Sequence, residues 1–226
     1  MLGKEKEYLS KTSESTKCRV CRYEPPEFVL NAIKQRIREF EKLGKNGYVR
    51  FKFEPFLELE IDATIETELA FCISTANSSA RAGLKFQKML EGKDLFAMSL
   101  EDFEDLLKKS GVRFYRKKAL YIRNAVRKFQ TLSIPEDESA RDLLVKEING
   151  LGYKEASHFL RNTGKGDFAI LDRHILDWLG IKERSLSRKK YIEAEQMMKE
   201  IAKRIDKSVA ELDLLIWSLK TGMVLK

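Results

Sequence analysis

Residues 143–162, LLVKEINGLGYKEASHFLRN, contain the most informative spacing in the sequence. A helix-period apolar pattern runs into Asn149, Gly150, Leu151 and Gly152 and then resumes at Tyr153. Two glycines one residue apart allow a sharp turn and a close approach to a ligand, and the N–H groups that open the second helix can bind an anion. Leu151 would pack the two helices against each other. The pattern predicts a helical hairpin, residues 149–152, that contacts a duplex phosphate without reading a base.

Two ionisable residues near this hairpin could carry chemistry. Lys154 lies in the first turn of the second helix, at the positive end of the helix dipole. One interpretation is that this setting lowers the pKa of the amine and makes it a nucleophile, and the other is a phosphate contact. Asp172 follows eighteen residues later, directly before Arg173 and His174. An Asp there is most often an N-cap, a role compatible with catalysis because one carboxylate oxygen stays available.

The charge balance favours a polyanionic partner. Lys and Arg number 43 against 35 Asp and Glu, which gives a net charge of +8. Residues 108–130 hold nine Lys or Arg and no acid, with Phe114, Tyr115 and Tyr121 between them. This segment is either a solvated helix face with inward-turned aromatics or a phosphate-binding surface.

Cysteine usage argues against a metal centre. Cys18 and Cys21 have the spacing of half a zinc or redox site, but the other candidate ligands are Cys72, His158 and His174, none of them paired at ligand spacing. Three cysteines also cannot hold an all-cysteine iron–sulfur cluster. We expect two thiols in an N-terminal arm, a reducing compartment and no metal.

The pattern along the chain predicts an all-α fold. Gly44 is expected to stop a first helix over residues 27–43, and Ser99, Ser187 and Ser208 are expected to be N-caps of later helices. Residues 48–61 fit either a short strand pair or an extended connector. With no long apolar segment and no secretion signal, we expect a soluble intracellular protein. The scarcity of Asn and Gln leans towards a thermophilic source.

The hairpin, the lysine after it and the distant aspartate together resemble the helix–hairpin–helix superfamily of DNA base-excision glycosylases. That superfamily has a hairpin, a Gly/Pro-rich loop and an Asp; NTGKGDFAILDRH supplies the last two here, without the proline. Its bifunctional members carry a lysine where Lys154 stands. The resemblance therefore implies a glycosylase with lyase activity, with Lys154 and Asp172 as catalytic residues and no required metal. A monovalent cation at the hairpin carbonyls is the one cofactor the resemblance suggests.

Within that superfamily, GLGYKEASHFLRNTG, AILDRHIL and the ending LDLLIWSLKTGMVLK are most similar to the type-2 8-oxoguanine DNA glycosylases of archaea and some bacteria. The resemblance implies that Phe114, Trp217 and the terminal Lys226, through its free carboxylate, surround a flipped base. It also implies that Asn77 and Arg81 fill the gap in the duplex beside the orphan cytosine. The expected partner is double-stranded DNA containing 8-oxoguanine, and the expected protein is a cytoplasmic, prokaryotic monomer that binds no membrane.

The resemblance also implies two helical subdomains with the active-site cleft between them. One subdomain comprises residues 27–62 and 138–226, the other residues 63–137, and residues 1–26 form an arm outside the family pattern. Three alternatives stay open at this point. They are a non-catalytic helix–hairpin–helix module, a glycosylase for another damaged base, and an RNA-binding protein, although neither an RNA-binding module nor a stacking sheet is visible in the sequence.

Overall fold

The computed structural model describes residues 24–226, so Cys18 and Cys21 lie outside the described residues. This part of the chain forms ten α-helices and one two-stranded sheet. In chain order the elements are α1 (Glu27–Asn46), β1 (Tyr48–Lys52), β2 (Glu60–Thr64), α2 (Ile65–Thr75), α3 (Ala80–Met89), α4 (Leu100–Lys109), α5 (Tyr115–Phe129), α6 (Ser139–Glu147), α7 (Tyr153–Asn162), α8 (Arg173–Leu179), α9 (Arg188–Arg204) and α10 (Val209–Thr221). The all-α fold predicted from the sequence is confirmed.

The segment after α1 is the strand pair that the sequence left as one of two alternatives. Strands β1 and β2 are antiparallel, with Phe51 opposite Ile61 and Val49 opposite Ala63. These four side chains are buried on one face of the pair, which packs on α1 and α3. The alternation of buried and exposed residues explains why the sequence alternates in hydropathy here.

Helix α1 does not stop at Gly44, so that prediction was wrong. The helix ends at Asn46, and Gly47 takes the left-handed conformation (φ 72°) that closes it. Gly44 is needed for a different reason: a Cβ on it would lie 1.9 Å from the carbonyl oxygen of Thr163, at the end of α7. The glycine allows α1 to cross the end of the hairpin's second helix at backbone contact.

The predicted N-caps at Ser99, Ser187 and Ser208 are confirmed. Each side-chain oxygen accepts a hydrogen bond from the backbone N–H three residues ahead. These bonds are local, so the sequence alone determines where α4, α9 and α10 begin.

A single cluster of buried hydrophobic residues runs through the described chain. Helix α2 lies at its centre and packs against α3, α5 and α7, while α10 packs against α1, α8 and α9. The division into two subdomains stays a prediction. Within residues 24–226, no helix combines the length and the apolar character needed to cross a bilayer.

Candidate active site

The hairpin has the geometry that its glycines predict. Helix α6 ends at Glu147, Gly150 has a φ of 98°, and Gly152 is the N-cap of α7. A Cβ on Gly150 would lie 2.8 Å from the ring of Tyr121 on α5, so a glycine is required both by the turn and by this contact. Leu151 is buried in the hydrophobic core; its packing between the two helices stays a prediction.

Lys154 projects from the first turn of α7, where the sequence placed it. Its side chain is 29% exposed, so the amine can be reached from solvent, and Nζ lies 3.0 Å from Oε1 of Glu155. The other oxygen of Glu155 accepts a hydrogen bond from the N–H of Gly152 at 3.3 Å. Glu155 thus joins the amine to the turn of the hairpin.

Asp172 is the N-cap of α8, as predicted. Its Oδ1 accepts hydrogen bonds from the backbone N–H groups of His174 (2.8 Å) and Ile175 (3.0 Å). Both bonds use the same oxygen, and no donor within residues 24–226 bonds to Oδ2. The carboxylate is therefore fixed by its cap and still has one oxygen for chemistry.

Lys154 and Asp172 line one cleft of about 940 Å³. Five other predicted catalytic, base-pocket or DNA-binding residues line the same cleft, namely Asn77, Arg81, Gly152, Trp217 and Lys226. The ring of Trp217 meets that of His174 edge-on, with centroids 6.1 Å apart, so Trp217 is oriented by the first turn of α8. The cleft therefore brings together residues from loops and helices that are far apart in the chain, with Lys154 and Asp172 among them.

The remaining predicted site residues lie outside this cleft. Phe114 is 59% exposed, and its backbone takes a left-handed conformation (φ 57°) directly before α5. Its neighbour Arg113 does line the cleft, and the Arg113 guanidinium carbon lies 5.3 Å from the centre of the Phe114 ring. Asn149 and Gly150 lie on the hairpin turn, away from the cleft lining.

The loop that contains Asn77 is held by its neighbour Ser78. Asn77 has a φ of 54°, and Ser78 Oγ accepts hydrogen bonds from the Arg113 N–H and from Lys118 Nζ, both at 2.9 Å. Lys118 Nζ also donates to the carbonyl of Ser74 at 2.7 Å. Burial lowers the pKa of Lys118 to about 8, and the charge of Lys154 acts in the same direction. Lys118, one of the nine basic residues of segment 108–130, thus holds in place the loop that carries Asn77.

Three polar residues that line the cleft, Arg161, Asp213 and His158, were not among the predicted site residues, and His158 was considered only as a metal ligand. Arg161 Nη1 lies 3.1 Å from Oδ1 of Asp213, whose Oδ2 accepts the N–H of Ile170, two residues before Asp172. Burial raises the pKa of Asp213 and lowers that of His158, whose Nε2 is buried without a partner in the described chain. Two features of the sequence could have indicated these residues. His158 lies one helical turn after Lys154, and Arg161 and Asp213 are charged residues within apolar helical segments.

An ion pair fastens the hairpin to the helices behind it. Arg188 on α9 donates to both oxygens of Asp142 on α6 (3.1 and 2.8 Å), and the hydroxyl of Tyr153 on α7 donates to Oδ1 of the same carboxylate. These hydrogen bonds lower the pKa of Asp142 from 3.8 to about 2. Three helices therefore meet at one carboxylate.

Asp142→Asn is expected to destabilise the fold at pH 7 by about 1 kcal/mol. The lowered pKa of Asp142 alone corresponds to about 2 kcal/mol of stability. We halve this value because the side chains of Asp142 and Arg188 are 45% and 61% exposed, so that solvent screens their interaction. Since the pKa is lowered in the folded state, the stabilisation is present above about pH 4 and is lost as the pH falls towards about 2. Urea unfolding at pH 7 and pH 3 should therefore give a larger difference at pH 7.

A matched control is Glu193→Gln on α9, whose carboxylate is 60% exposed and 4.0 Å from Lys189. It should change stability by less than about 0.5 kcal/mol. An Asp142→Asn effect no larger than this control, or one that grows at pH 3, would show that the ion pair does not hold the hairpin.

Within residues 24–226, no group of three or more His, Cys, Asp or Glu side chains is arranged to hold a metal ion. The functional groups that line the cleft include the solvent-accessible amine of Lys154, the carboxylate of Asp172, the indole of Trp217 and several arginine side chains. An amine and a carboxylate in one cleft suit nucleophilic attack on a carbon that develops positive charge.

Comparison with known proteins assigns the family. A model of the 8-oxoguanine DNA glycosylase family matches residues 33–207. The 8-oxoguanine DNA glycosylase/AP lyase of Aquifex aeolicus is 42% identical over 213 residues, which cover 88% of this chain and 94% of that protein. The protein of the same name from Methanocaldococcus jannaschii is 45% identical over 210 residues, covering 88% and 93%.

A solved structure of the Methanocaldococcus jannaschii 8-oxoguanine glycosylase/lyase, in complex with a 15mer DNA containing 8-oxoguanine, has a TM-score of 0.72 to this chain. It is 41% identical and covers 87% of this chain and 92% of its own. Fold and sequence agree over nearly the whole described chain. The chain therefore belongs to the 8-oxoguanine DNA glycosylase family.

Proposed function

We propose that this protein is a bifunctional DNA glycosylase and AP lyase that excises 8-oxoguanine from duplex DNA. The observation that carries the proposal is that Lys154, on the hairpin, and Asp172, at the N-terminus of α8, line one cleft of a member of this family. A binding module would need the hairpin but would not require Lys154 and Asp172 to line the same cleft.

The target nucleotide must leave the stack before any chemistry can occur. Unpairing and unstacking cost a few kcal/mol, which contacts to the backbone and side chains filling the gap offset. We assign that filling role to Asn77 and Arg81; the guanidinium of Arg81 already lies 3.4 Å from the sulfur of Met223. In this proposal the flipped base lies against Trp217 and Lys226, which line the cleft, and against Phe114, which is exposed beside the lining residue Arg113.

The reaction begins with Lys154. Its neutral Nζ attacks C1′ of the damaged nucleotide, the bond between C1′ and N9 breaks, and the base leaves with the bonding electrons. Asp172 stabilises the positive charge that develops on the sugar and takes up a proton from the amine. The sugar ring opens to a Schiff base, a proton is lost from C2′, and the bond between C3′ and its oxygen breaks. The strand is thereby cut on the 3′ side of the lesion by β-elimination.

The rest of the interface serves to hold the duplex. Asn149, Gly150, Leu151 and Gly152 form the hairpin turn that we assign to phosphate contacts, and the basic residues of segment 108–130 extend the positive surface. The chemistry requires no metal, and a monovalent cation at the hairpin carbonyls would only strengthen phosphate binding. We expect the protein to act as a monomer in the cytoplasm, with no membrane attachment.

Borohydride trapping tests this proposal directly. A duplex with 8-oxoguanine opposite cytosine should give a covalent protein–DNA adduct, because borohydride reduces the Schiff base to a stable amine. The undamaged duplex of the same sequence should give none. The adduct is measured as a band of reduced mobility on a denaturing gel.

The alternatives predict different results. Tight binding of both duplexes without any adduct would assign a non-catalytic helix–hairpin–helix module. An adduct that forms on a duplex with an oxidised pyrimidine but not with 8-oxoguanine would assign a glycosylase for another base. Either result would overturn the proposed function.

A further inference from the structure

The side chain of Lys226 lies in the protein core and not in the cleft. It is 0% exposed, and its ammonium forms a close ion pair with Glu68 and donates a hydrogen bond to Oε1 of Gln87 at 2.6 Å. The rings of Phe51 and Phe71 lie 4.1 and 4.2 Å from the same nitrogen, a geometry typical of cation–π contacts. The ammonium therefore has two hydrogen-bond acceptors and two aromatic rings as partners in the core.

The partners of Lys226 are themselves fixed. Gln87 Nε2 donates to Oε2 of Glu68 at 2.8 Å, which closes a triangle of three buried side chains. The second oxygen of Glu68 accepts from Nδ2 of Asn162 at 2.7 Å, and the Asn162 oxygen accepts from Arg161. The triangle formed by Lys226, Glu68 and Gln87 is therefore tied to α7, the helix that carries Lys154.

The main chain of residue 226 is the part that reaches the cleft. The whole residue is 8% exposed while its side chain is 0% exposed, so the accessible atoms belong to the main chain. Lys226 lines the cleft with Lys154, Asp172 and Trp217. Its buried ammonium thus acts as an anchor on one side of the backbone, and the backbone faces the reacting groups on the other.

Stability alone does not account for this arrangement. A buried ion pair is costly to desolvate, and well-packed apolar side chains of similar volume are often as stable or more stable. Hydrogen bonds are directional and apolar contacts are not, so the bonds from Lys226 to Glu68 and Gln87 restrict the position of the ammonium more than apolar packing would. A buried, hydrogen-bonded ammonium is therefore suited to a residue whose main chain must be held in a defined position.

We propose that Glu68 and Gln87 are positioning residues that hold the Lys226 ammonium in the core and thereby set the main chain of residue 226 against the flipped 8-oxoguanine. The inference rests on the proposed function and deepens it. Glu68 and Gln87 are fully buried and do not line the cleft. They act on base recognition through Lys226.

The main competing explanation is that apolar packing alone holds this segment. Val224 and Leu225 are each 1% exposed, and either could fix the backbone without help from the ammonium. The two explanations differ in what Lys226→Met does. Methionine keeps the apolar stem and the main chain but loses the charge and its hydrogen bonds, so only the anchor model predicts a functional loss.

The test compares two substrates for each variant. Single-turnover rates are measured on a duplex with 8-oxoguanine opposite cytosine, which needs the base pocket, and on a duplex with an abasic site, which does not. For Lys226→Met and Glu68→Gln we expect the ratio of the first rate to the second to fall about tenfold or more, because small misplacements of a positioning group have effects of this size. Abasic-site cutting should stay within about threefold of wild type. The double variant should be no worse than the worse single variant, since both remove the same anchor.

Glu39→Gln is the matched control. Glu39 is also a buried carboxylate, paired with Arg36, but it does not contact Lys226 or line the cleft. Its rate ratio should equal that of wild type. If Glu68→Gln fails to fold, Gln87→Met takes its place, because it removes one hydrogen bond and leaves the ion pair.

Three results decide the proposal. A fall in the ratio for Lys226→Met with an unchanged Glu39→Gln supports it. An unchanged ratio in Lys226→Met, or equal losses on both substrates, overturns it and assigns the placement to Val224 and Leu225. A wild-type protein that cuts abasic sites but leaves 8-oxoguanine in place would instead contradict the proposed function.

Discussion

Lys154→Gln is expected to abolish both the borohydride-trapped adduct and strand cutting, a loss of at least about a thousandfold, because the reaction then lacks its nucleophile. Glutamine has a similar length and polarity but no basic amine. The side chain is 29% exposed and, among residues 24–226, forms an ion pair only with the adjacent Glu155, so its replacement should leave the fold intact. Duplex binding, measured by fluorescence anisotropy, should change by less than about tenfold because a single charge is lost among many basic groups.

Lys146→Gln is the control for this experiment. Lys146 lies on α6 of the same hairpin, its side chain is 80% exposed, and its nearest acid, Glu147, is 3.8 Å away. The same change of charge there should leave trapping at the wild-type level. An effect of Lys146→Gln as large as that of Lys154→Gln would show that the loss reflects positive charge on the hairpin and not a nucleophile.

A trapped adduct that persists in Lys154→Gln would mean that another amine attacks C1′. Lys118 would be the first to examine, because its pKa is lowered to about 8 and the charge of Lys154 lies near it. Its geometry argues against it: Nζ is held by the Ser74 carbonyl and by Ser78, and the residue is 5% exposed. The amine of Lys154 is exposed enough to attack C1′, whereas that of Lys118 is buried and hydrogen-bonded, as is typical of a structural residue.

Features that depend on local interactions could be predicted from the sequence. A serine cap needs only the N–H three residues ahead, as at Ser99 and Ser208, and the hairpin needs only its two glycines and the apolar residue between them. Lys154 and Asp172 were identified for the same reason, since one follows the turn and the other begins a helix. Their presence in a common cleft came from resemblance and not from periodicity.

Features that depend on distant parts of the chain could not be predicted. The need for Gly44 arises from the carbonyl of Thr163, where α1 crosses α7, and no pattern near Gly44 indicates that contact. The core position of the Lys226 ammonium depends on Glu68 and Gln87, which are 158 and 139 residues away. From the sequence alone, a lysine is expected to be exposed. Its burial here is possible because the folded chain places the carboxylate of Glu68 and the amide of Gln87 next to the ammonium.

Asp172→Asn is expected to slow excision of 8-oxoguanine by at least about a hundredfold, because the negative charge that stabilises the sugar cation is lost. Asparagine is as good an N-cap as aspartate. Its side-chain oxygen can still accept the N–H groups of His174 and Ile175, so the start of α8 should be preserved. Stability should fall by less than about 1 kcal/mol. The measurements are single-turnover rates and thermal unfolding of the same preparation.

Asp167→Asn is the control for the loss of a carboxylate at a helix start. Asp167 also accepts two backbone N–H groups at a helix start, those of Val209 and Ala210, both at 2.8 Å, but it does not line the cleft. The two bonds use different oxygens and Ser208 is the N-cap of α10, so asparagine keeps only one of them; Asp167→Asn should cost some stability and leave excision unchanged. A wild-type rate in Asp172→Asn, or equal losses in the two variants, would reduce Asp172 to a helix cap.

The abasic duplex separates two roles that Asp172 can play. Stabilising the sugar cation matters only while the base departs, whereas taking a proton from Lys154 matters on either substrate. A loss confined to the 8-oxoguanine duplex assigns the first role, and equal losses on both duplexes assign the second. The cap leaves Oδ2 free while it fixes Oδ1, so one carboxylate can hold the helix and serve the reaction without moving.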